Sequence, residues 1–398
     1  MSPTPSGLVA TPPPSSGLFS AHFFSCCALI FLLRIHGGSF RTGSASDPSI
    51  NGANLASTTQ SIVAVVQYRL GGVRFCFFIT LVPLLTRAQL GFMDPDGETN
   101  LAVNDVINAL KVLNAGVSMI GGSRSRITIA GQSSGATMVR ALLAIPSASS
   151  LFASAILQSD PMVILSRAYP AIVCLSPSIQ DNGFLSPGVQ QTMQNFFNEQ
   201  LPCNPSDSGC ASSLAVDDIL EASNTLFSQA VFLNPAAGQG EPIRPVHDGQ
   251  LITTTLTTSS PFPQVSKPIL VTTVVDEAGP TIYQMFTSPV PAQVSAQILY
   301  GLLGSPRADT VLASQRYTAQ TSGDVRPSLE KLGTDYMWKC PSWTFSRTWA
   351  SSGGPAYVGM YVIGATYPTN AGIPFCTSNG SVCHQDDIQI VVSLGRRA

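Results

Sequence analysis

Charged side chains are scarce in this sequence. Asp, Glu, Lys and Arg make up 11% of its 398 residues, whereas about a quarter is usual for a soluble protein. The 20 basic and 22 acidic residues leave a net charge of −2, so we expect no basic surface that would bind nucleic acid. Only four histidines are present, which limits the candidates for a catalytic base to His22, His36, His247 and His384.

The N-terminus lacks the usual marks of a secretory signal peptide. Residues 1–17 are rich in Pro, Ser and Gly, and an apolar run follows from Leu18 to Ile35. The run has the hydropathy of a signal peptide or membrane anchor, but no basic region precedes it and no small-residue cleavage site follows it. It leads directly into the glycine-rich segment 36–40, so we interpret its last residues as a strand. Residues 1–34 are otherwise predicted to be a disordered or non-native segment.

Repeats and clear linkers are also missing, which favours a single domain. The 30 prolines and 33 glycines predict many loops. Nine cysteines, few lysines and many Ser and Thr residues favour an exported protein over a cytosolic one. The odd number of cysteines leaves at least one thiol free or intermolecular.

Strand and helix patterns alternate along the chain, which predicts an α/β fold. The strand patterns are apolar and rich in β-branched residues, and the helix pattern repeats apolar residues at helical spacing. The strands are predicted at 62–66, 127–130, 153–157, 269–275 and 356–363, with a helix at 100–113. We therefore expect a mostly parallel central sheet with helices on both faces over residues 35–398, and a helical cap region over approximately 183–260.

A Gly-x-Ser-x-Gly motif, GQSSG at residues 131–135, follows the strand pattern 127–130 and precedes a helix-compatible stretch at 137–144. This arrangement places Ser133 at the apex of a strand-turn-helix, with its hydroxyl pushed outward. Glycines on either side allow the strand and helix to pass closely. The alternative is a Gly/Ser turn without a catalytic role, because the five-residue pattern alone is weak.

A serine nucleophile needs a base and an orienting carboxylate. Among the histidines, His384 follows the last predicted strand on a loop, whereas His36 is expected to shape the glycine loop. Glu277 comes just after the strand 269–275, at the end of the sheet where catalytic groups gather. A solvated loop histidine and an exposed acidic turn are the alternative interpretations.

Besides the nucleophile, the base and the acid, such a site needs hydrogen-bond donors for the substrate oxyanion, and the backbone can supply them. The amides of Gly37 and Gly38, in a loop after a strand, and that of Ser134 could bind a substrate oxyanion. The alternative is a plain Gly-Gly turn.

In these motifs the chain resembles the type-B carboxylesterase/lipase family, the cholinesterase-like α/β-hydrolases, in a form typical of filamentous fungi. The resemblance spans most of the chain from His36 onward. The matching stretches are HGGSF at 36–40, YRLG at 68–71, LGF at 90–92, GG at 121–122, GQSSGA at 131–136, AILQS at 155–159, DE at 276–277 and CH at 383–384.

The resemblance implies a role for each matched residue. It implies Ser133 as nucleophile, Glu277 rather than Asp276 as acid, His384 as base, and Gly37, Gly38 and Ser134 as oxyanion donors. The family usually has Ala at position 134, but only the backbone N–H is used there, so Ser should be tolerated. The resemblance also implies a disulfide Cys203–Cys210 in the cap, with Cys376–Cys383 as a second disulfide beside His384, and secretion.

Two segments depart from the family pattern. Residues 73–89 and 163–180 interrupt stretches that otherwise match, and both begin with Val and end with Gln. Val codons start with GT and one Gln codon is CAG, so we interpret both as retained introns translated in frame. Removing them, with the start of the run that begins at Leu18, leaves five cysteines: the two suggested pairs and Cys340. A genuine family-specific loop is the alternative.

The ends are also shorter than in the family, so we expect a truncated chain. Members carry a secretion signal and several strands before the loop at 36–40, and a helix after the catalytic histidine. Missing edge strands would leave backbone and apolar faces exposed.

The resulting hypothesis is a serine hydrolase that cleaves carboxylic esters through an acyl-enzyme, either a carboxylesterase or a lipase. We expect a small-molecule or lipid ester substrate, no metal or cofactor and no nucleic acid, with no firm sign of membrane association. The oligomeric state stays open. The alternative is a non-catalytic homologue, a truncated or mis-spliced product.

Overall fold

The computed structural model describes residues 8–11, 28–71, 91–93, 98–162, 183–204, 207, 210–238, 241–256, 262–317 and 323–392. The two intron-like segments predicted at 73–89 and 163–180 lie outside these residues, as does His22.

The described residues form one seven-stranded sheet with the strand order β1-β3-β2-β4-β5-β6-β7. Its strands are β1 (Leu8–Thr11), β2 (Leu29–Ile35), β3 (Ile62–Val66), β4 (Gly122–Gln132), β5 (Ser154–Gln158), β6 (Ile269–Val274) and β7 (Ala356–Tyr361). Every neighbouring pair is parallel except β1 and β3, which are antiparallel. The predicted mostly parallel α/β sheet is confirmed.

The central strands are apolar because helices and loops cover both faces of the sheet. All five residues of β3 are buried, as are Phe31, Leu33 and Ile35 of β2. The carboxyl ends of the strands come together at one edge of the sheet. There Gln132 of β4 pairs with Gln158 of β5, which in turn pairs with Thr272 of β6.

Helices connect and cover the strands. Those of the described residues are α1 (Ala53–Thr59), α2 (Leu101–Gly116), α3 (Ser134–Leu143), α4 (Pro187–Glu199), α5 (Cys210–Ser213), α6 (Val216–Leu233), α7 (Gly279–Met285), α8 (Ser295–Leu303), α9 (Ser305–Ala313), α10 (Arg326–Thr334), α11 (Cys340–Ser351) and α12 (Asp387–Val392). α3 follows the predicted nucleophile and is buried along its length, so its position is fixed by the core. α4 to α6 lie in the predicted cap region.

The N-terminal segment differs from the prediction. Residues 1–34 were expected to be disordered or non-native apart from the end of the apolar run, but Leu8–Thr11 pairs with the outer edge of β3, and β2 already begins at Leu29. The edge of β3 offers unpaired N–H and C=O groups, which an extended β-favouring stretch can satisfy. The predicted strand at the end of the run is confirmed by β2.

Apolar side chains pack in one large cluster around the sheet, and a second cluster joins α7 to α10. In the second cluster Ala278 packs beside Ile282 and Trp338. This places the acidic turn after β6 against a packed helical layer. Among the described residues, no helix is long and apolar enough to cross a membrane.

Disulfide bonds lie in the predicted cap region and near the C-terminal end of the described residues. Cys203 is bonded to Cys210, and Cys376 to Cys383, each pair with Cα atoms 5.6 Å apart. Cys340, which the sequence interpretation left outside the two pairs, is also disulfide-bonded.

Candidate active site

Ser133 occupies a strained turn between β4 and α3. Its φ of 57° and ψ of −129° lie outside the regions that a side chain usually allows. The turn is held because Ser133 N–H donates to Gln158 O (2.9 Å), while Ser133 O accepts from Ala136 N–H (2.8 Å). Ser133 is 7% exposed, so it is largely buried rather than on the open surface.

The glycines of the motif are required by close backbone contact. A Cβ at Gly131 would overlap the backbone of Gly135, and a Cβ at Gly135 would overlap the carbonyl oxygens of Ile35 and His36. β4, α3 and the loop after β2 therefore approach each other within backbone contact. This packing brings the loop of Gly37 against the serine: a Cβ at Gly37 would lie 3.1 Å from Ser133 Cβ.

Glu277 and His384 are brought together from positions 107 residues apart. Glu277 Oε2 lies 2.6 Å from His384 Nδ1, and Glu277 Oε1 accepts from Val274 N–H at 2.9 Å. The Glu277 side chain has no solvent exposure, whereas that of His384 is 17% exposed. A buried carboxylate fixed at both oxygens holds the imidazole in one orientation.

Gln132 contacts the other nitrogen of the imidazole. Its amide Nε2 lies 3.3 Å from His384 Nε2. An amide nitrogen only donates, so His384 Nε2 accepts and the ring proton lies on Nδ1, facing Glu277. This is the tautomer that a general base needs. The two ring nitrogens are thus paired with Glu277 and Gln132, and no hydrogen bond joins Ser133 Oγ to His384 within the described residues.

The pKa of His384 is raised above its usual value. Burial by itself lowers the pKa of the imidazole, but the hydrogen bond and negative charge of Glu277 outweigh it, with smaller contributions from Asp387 and Glu241. An imidazole that is easily protonated and held beside a carboxylate is suited to take a proton from a hydroxyl and return it.

Three backbone N–H groups near Ser133 donate no hydrogen bond among the described residues: those of Gly37, Gly38 and Ser134. Ser134 is the first residue of α3, where N–H groups have no intrahelical acceptor. Its hydroxyl accepts from Phe40 N–H (3.3 Å), which ties the loop after β2 to the start of α3. The arrangement provides donors for a developing negative charge.

His36 shapes this loop. Its ring stacks on Tyr68 with centroids 4.5 Å apart, and its Nδ1 contacts Gly37 O at 2.9 Å. Tyr68 Oη donates to His36 O at 2.8 Å. Burial lowers the pKa of His36, which favours the neutral ring. The contacts of this ring with Tyr68 and Gly37 fix the shape of the loop. His247 lies elsewhere, at a cavity near the opposite end of α3.

The loop that carries His384 is held by several bonds. Asp276 N–H donates to Val382 O, and Val382 N–H donates back to Asp276 Oδ2, both at 2.9 Å. The Cys376–Cys383 disulfide closes the loop beside the histidine. Asn370 Nδ2 donates to His384 O at 2.8 Å. Asp276 thus positions the loop, while its neighbour Glu277 contacts the imidazole.

Sequence reasoning missed the buried polar groups around the site. Arg140 of α3 and Asp160, after β5, form an ion pair with no solvent exposure on either side chain. Burial, aided by Asp160 and opposed by Arg244, raises the pKa of Glu241 to about 7. Burial also raises the pKa of Asp387 to about 6. These residues belong to no recognisable motif. What marks them in the sequence is that they are charged, in a chain with few charged residues.

The sequence predicts no role for Gln132 beyond its place in the motif. Its contact with His384 depends on β4 and the distant His384 loop meeting at one edge of the sheet, which local sequence does not reveal.

The chain is similar to several characterised proteins. It is 26% identical over 363 residues to the cAMP-regulated D2 protein of Dictyostelium discoideum, a match that covers 90% of this chain and 59% of that protein. It is 34% identical over 125 residues to the para-nitrobenzyl esterase of Bacillus subtilis, covering 31% of this chain and 23% of the relative. The chain thus spans less than two thirds of the length of these relatives.

The fold is similar to that of solved esterases. One structure of a PNB esterase has a TM-score of 0.62 at 21% identity, with 92% of this chain and 67% of that chain covered. The family model described as carboxylesterase family matches residues 29–397. This match takes in every part of the site described above, and the chain belongs to the carboxylesterase family.

Proposed function

We propose that this protein is a serine hydrolase that cleaves carboxylic esters through an acyl-enzyme intermediate. The observation that carries the proposal is the 2.6 Å contact between Glu277 and His384, with the other imidazole nitrogen 3.3 Å from the amide of Gln132, the residue before Ser133. Membership of the carboxylesterase family supports the reaction class. The proposed roles are nucleophile for Ser133, base for His384 and orienting acid for Glu277.

In the first step, Ser133 Oγ attacks the ester carbonyl while its proton passes to His384 Nε2. Gln132 occupies Nε2 in the resting site, so its amide moves aside when Ser133 Oγ takes that position. Catalytic hydrogen bonds are often absent or long before substrate binds and tighten in the complex. The imidazolium that forms is stabilised by Glu277, which stays ionised.

The tetrahedral intermediate places its negative oxygen near the N–H groups of Gly37, Gly38 and Ser134. Each such donor contributes about 3 to 4 kcal/mol to transition-state stabilisation in related sites. The ester C–O bond then breaks, and the alkoxide leaves as alcohol with the proton from His384 Nε2. A water molecule, deprotonated by the same nitrogen, attacks the acyl carbon. The bond to Ser133 Oγ then breaks, Oγ takes the proton back from His384 Nε2, and the carboxylic acid is released.

The proposal extends to location, because Cys203–Cys210 and Cys376–Cys383 are disulfides of the kind that persist in oxidising compartments. We propose an exported esterase or lipase. The choice between these depends on the width and closure of the acyl pocket.

The Ser133→Ala variant tests the assignment. We expect it to reduce turnover of a short p-nitrophenyl ester by about 10⁴-fold or more, because removal of a triad member leaves only binding and oxyanion stabilisation. Ser125→Ala, at the exposed end of the same strand, is the matched control and should retain full activity. Undiminished turnover by folded Ser133→Ala would reject the proposal.

A further inference from the structure

Gln158 connects two parts of the candidate site. It is the last residue of β5 and is only 2% exposed. Its backbone O accepts from Ser133 N–H at 2.9 Å, and its side-chain Nε2 donates to Asp387 Oδ2 at 2.7 Å. Asp387 follows His384 by three residues. One residue thus bonds both to the turn of the proposed nucleophile and to the segment that carries the proposed base.

The Asp387 carboxylate is held by this bond. Asp387 begins α12 and has no solvent exposure. Its other oxygen, Oδ1, has no hydrogen-bond partner among the described residues, so the bond from Gln158 is the one that fixes the carboxylate there. Burial raises the pKa of Asp387 to about 6. Above that pH the acceptor is charged, and a hydrogen bond to a charged group is stronger than one between neutral groups.

Other hydrogen bonds of the histidine segment, residues 382–387, run away from β4 and β5. They join it to Asp276 and Glu277 in the turn after β6, and to Asn370. These bonds orient the imidazole of His384, but they do not fix its distance from Ser133, which lies between β4 and α3.

Two hydrogen bonds join the histidine segment to β4 and β5 within the described part of the chain. Gln132 contacts His384 Nε2 at 3.3 Å, and Gln158 bonds Asp387. In the proposed reaction Ser133 Oγ takes the place of the Gln132 amide at Nε2. The bond from Gln158 is then the one of the two that remains while the proton is transferred.

From this arrangement we propose that Gln158 is a positioning residue for ester hydrolysis: its bond to Asp387 keeps the histidine segment aligned with the turn of Ser133 while Gln132 is displaced. The inference rests on the proposed function. Gln158 acts through Asp387 and not on the reacting atoms, so its loss should slow the chemical step more than it weakens substrate binding. A misplacement of about 1 Å can cost about 10²-fold in rate.

Gln158→Met tests the proposal because it keeps the length of the side chain and removes the donor. We expect kcat for a short p-nitrophenyl ester to fall by about 10- to 100-fold, with KM within about threefold of the unmodified protein. Gln194→Met is the matched control. Gln194 is 5% exposed on α4, and its amide bonds Asn198 within the same helix, so kcat should be unchanged.

Two variants of Asp387 test the same bond from its other end, and they serve if Gln158→Met lacks native circular dichroism. Asp387→Asn and Asp387→Leu both remove a charge that raises the pKa of His384, so the acidic limb of kcat/KM should move to lower pH in both. Only the Asn amide oxygen can still accept from Gln158. On the plateau Asp387→Asn should therefore keep kcat within about threefold, whereas Asp387→Leu should lose as much as Gln158→Met.

NMR of ¹⁵N-labelled histidine gives a readout that needs no turnover. The Nδ1–H of His384, which faces Glu277, should give a sharp signal in the unmodified protein and in Gln194→Met, and a broadened or shifted one in Gln158→Met. If the unmodified protein hydrolyses no ester, the proposed function fails and this signal alone decides the role of Gln158. Unchanged kcat in folded Gln158→Met, equal plateau kcat in the two Asp387 variants, or, without turnover, an unchanged signal would overturn the proposal.

Discussion

Replacement of Glu277 by Gln is the most informative change to the proposed base. The substitution keeps the size of the side chain but removes the charge that lies 2.6 Å from His384 Nδ1. Val274 N–H can still find an acceptor in the amide oxygen, so the backbone contact at 2.9 Å has a substitute and the turn is expected to persist. The effect should therefore fall on the imidazole rather than on folding.

The magnitude follows from the charge interaction that forms in the transition state. With charge centres about 4 Å apart and an effective dielectric constant near 20, the imidazolium and carboxylate attract by about 4 kcal/mol. This corresponds to about 10³-fold in rate. Gln can also donate to Nδ1 and thereby favour the wrong tautomer, which adds to the loss. We expect kcat/KM to fall by about 10³- to 10⁴-fold.

The pH profile gives the sign of the effect. In the native site Glu277 raises the pKa of His384 against the lowering by burial, and activity is lost as pH falls through that pKa because the base is protonated. In Glu277→Gln the lowering by burial remains, so the pKa falls and the acidic limb of kcat/KM moves to lower pH. Assays of p-nitrophenyl ester turnover at a series of pH values measure both the acidic limb and the plateau of the kcat/KM profile.

Asp276→Asn is the matched control, since Asp276 bonds Val382 rather than the imidazole. We expect a smaller loss of activity and no comparable shift of the acidic limb. The reasoning would be refuted if Glu277→Gln kept the acidic limb of its kcat/KM profile at the original pH and retained activity within threefold of the unmodified protein.

Two further changes test other parts of the account. Gly37→Ala would place a Cβ 3.1 Å from Ser133 Cβ and 2.6 Å from Gln132 O. This would displace a proposed oxyanion donor, so kcat/KM should fall by about 10²- to 10³-fold. Gly188→Ala, where a Cβ meets no atom within 4 Å, should leave steady-state kinetics unchanged, and equal behaviour of the two variants would argue against the loop's role. Asp160→Asn removes the carboxylate charge that pairs with the unexposed Arg140, so urea denaturation should show a loss of about 3–5 kcal/mol; a loss below about 1 kcal/mol would contradict the buried pairing.

Much of the fold could be predicted from local sequence, because short patterns of apolar residues and glycines determine those elements. β3 is a continuous apolar run and β6 is rich in β-branched residues, both typical of a buried parallel strand, and the predicted bounds agree with the observed ones within a residue. The motif at 131–135 requires glycines for reasons of backbone contact, which makes it readable without knowledge of the rest of the chain.

The remainder depended on contacts between distant segments. The strand at Leu8–Thr11 exists because β3 has a free edge, and nothing within residues 1–17 signals that edge. The contact of Gln132 with His384 and the ion pair of Arg140 with Asp160 arise from side chains that meet only after the sheet has formed. Spacing along the chain carries no information about such pairs, so sequence reasoning named Ser133, Glu277 and His384 but not their buried surroundings.

Active-site labelling tests the central claim most directly. Treatment with a fluorophosphonate, followed by peptide mass spectrometry, should place the phosphonyl group on Ser133, and labelling should slow as pH falls and His384 becomes protonated. A soluble, folded protein that stays unlabelled, or that carries the label at another residue, would contradict the account.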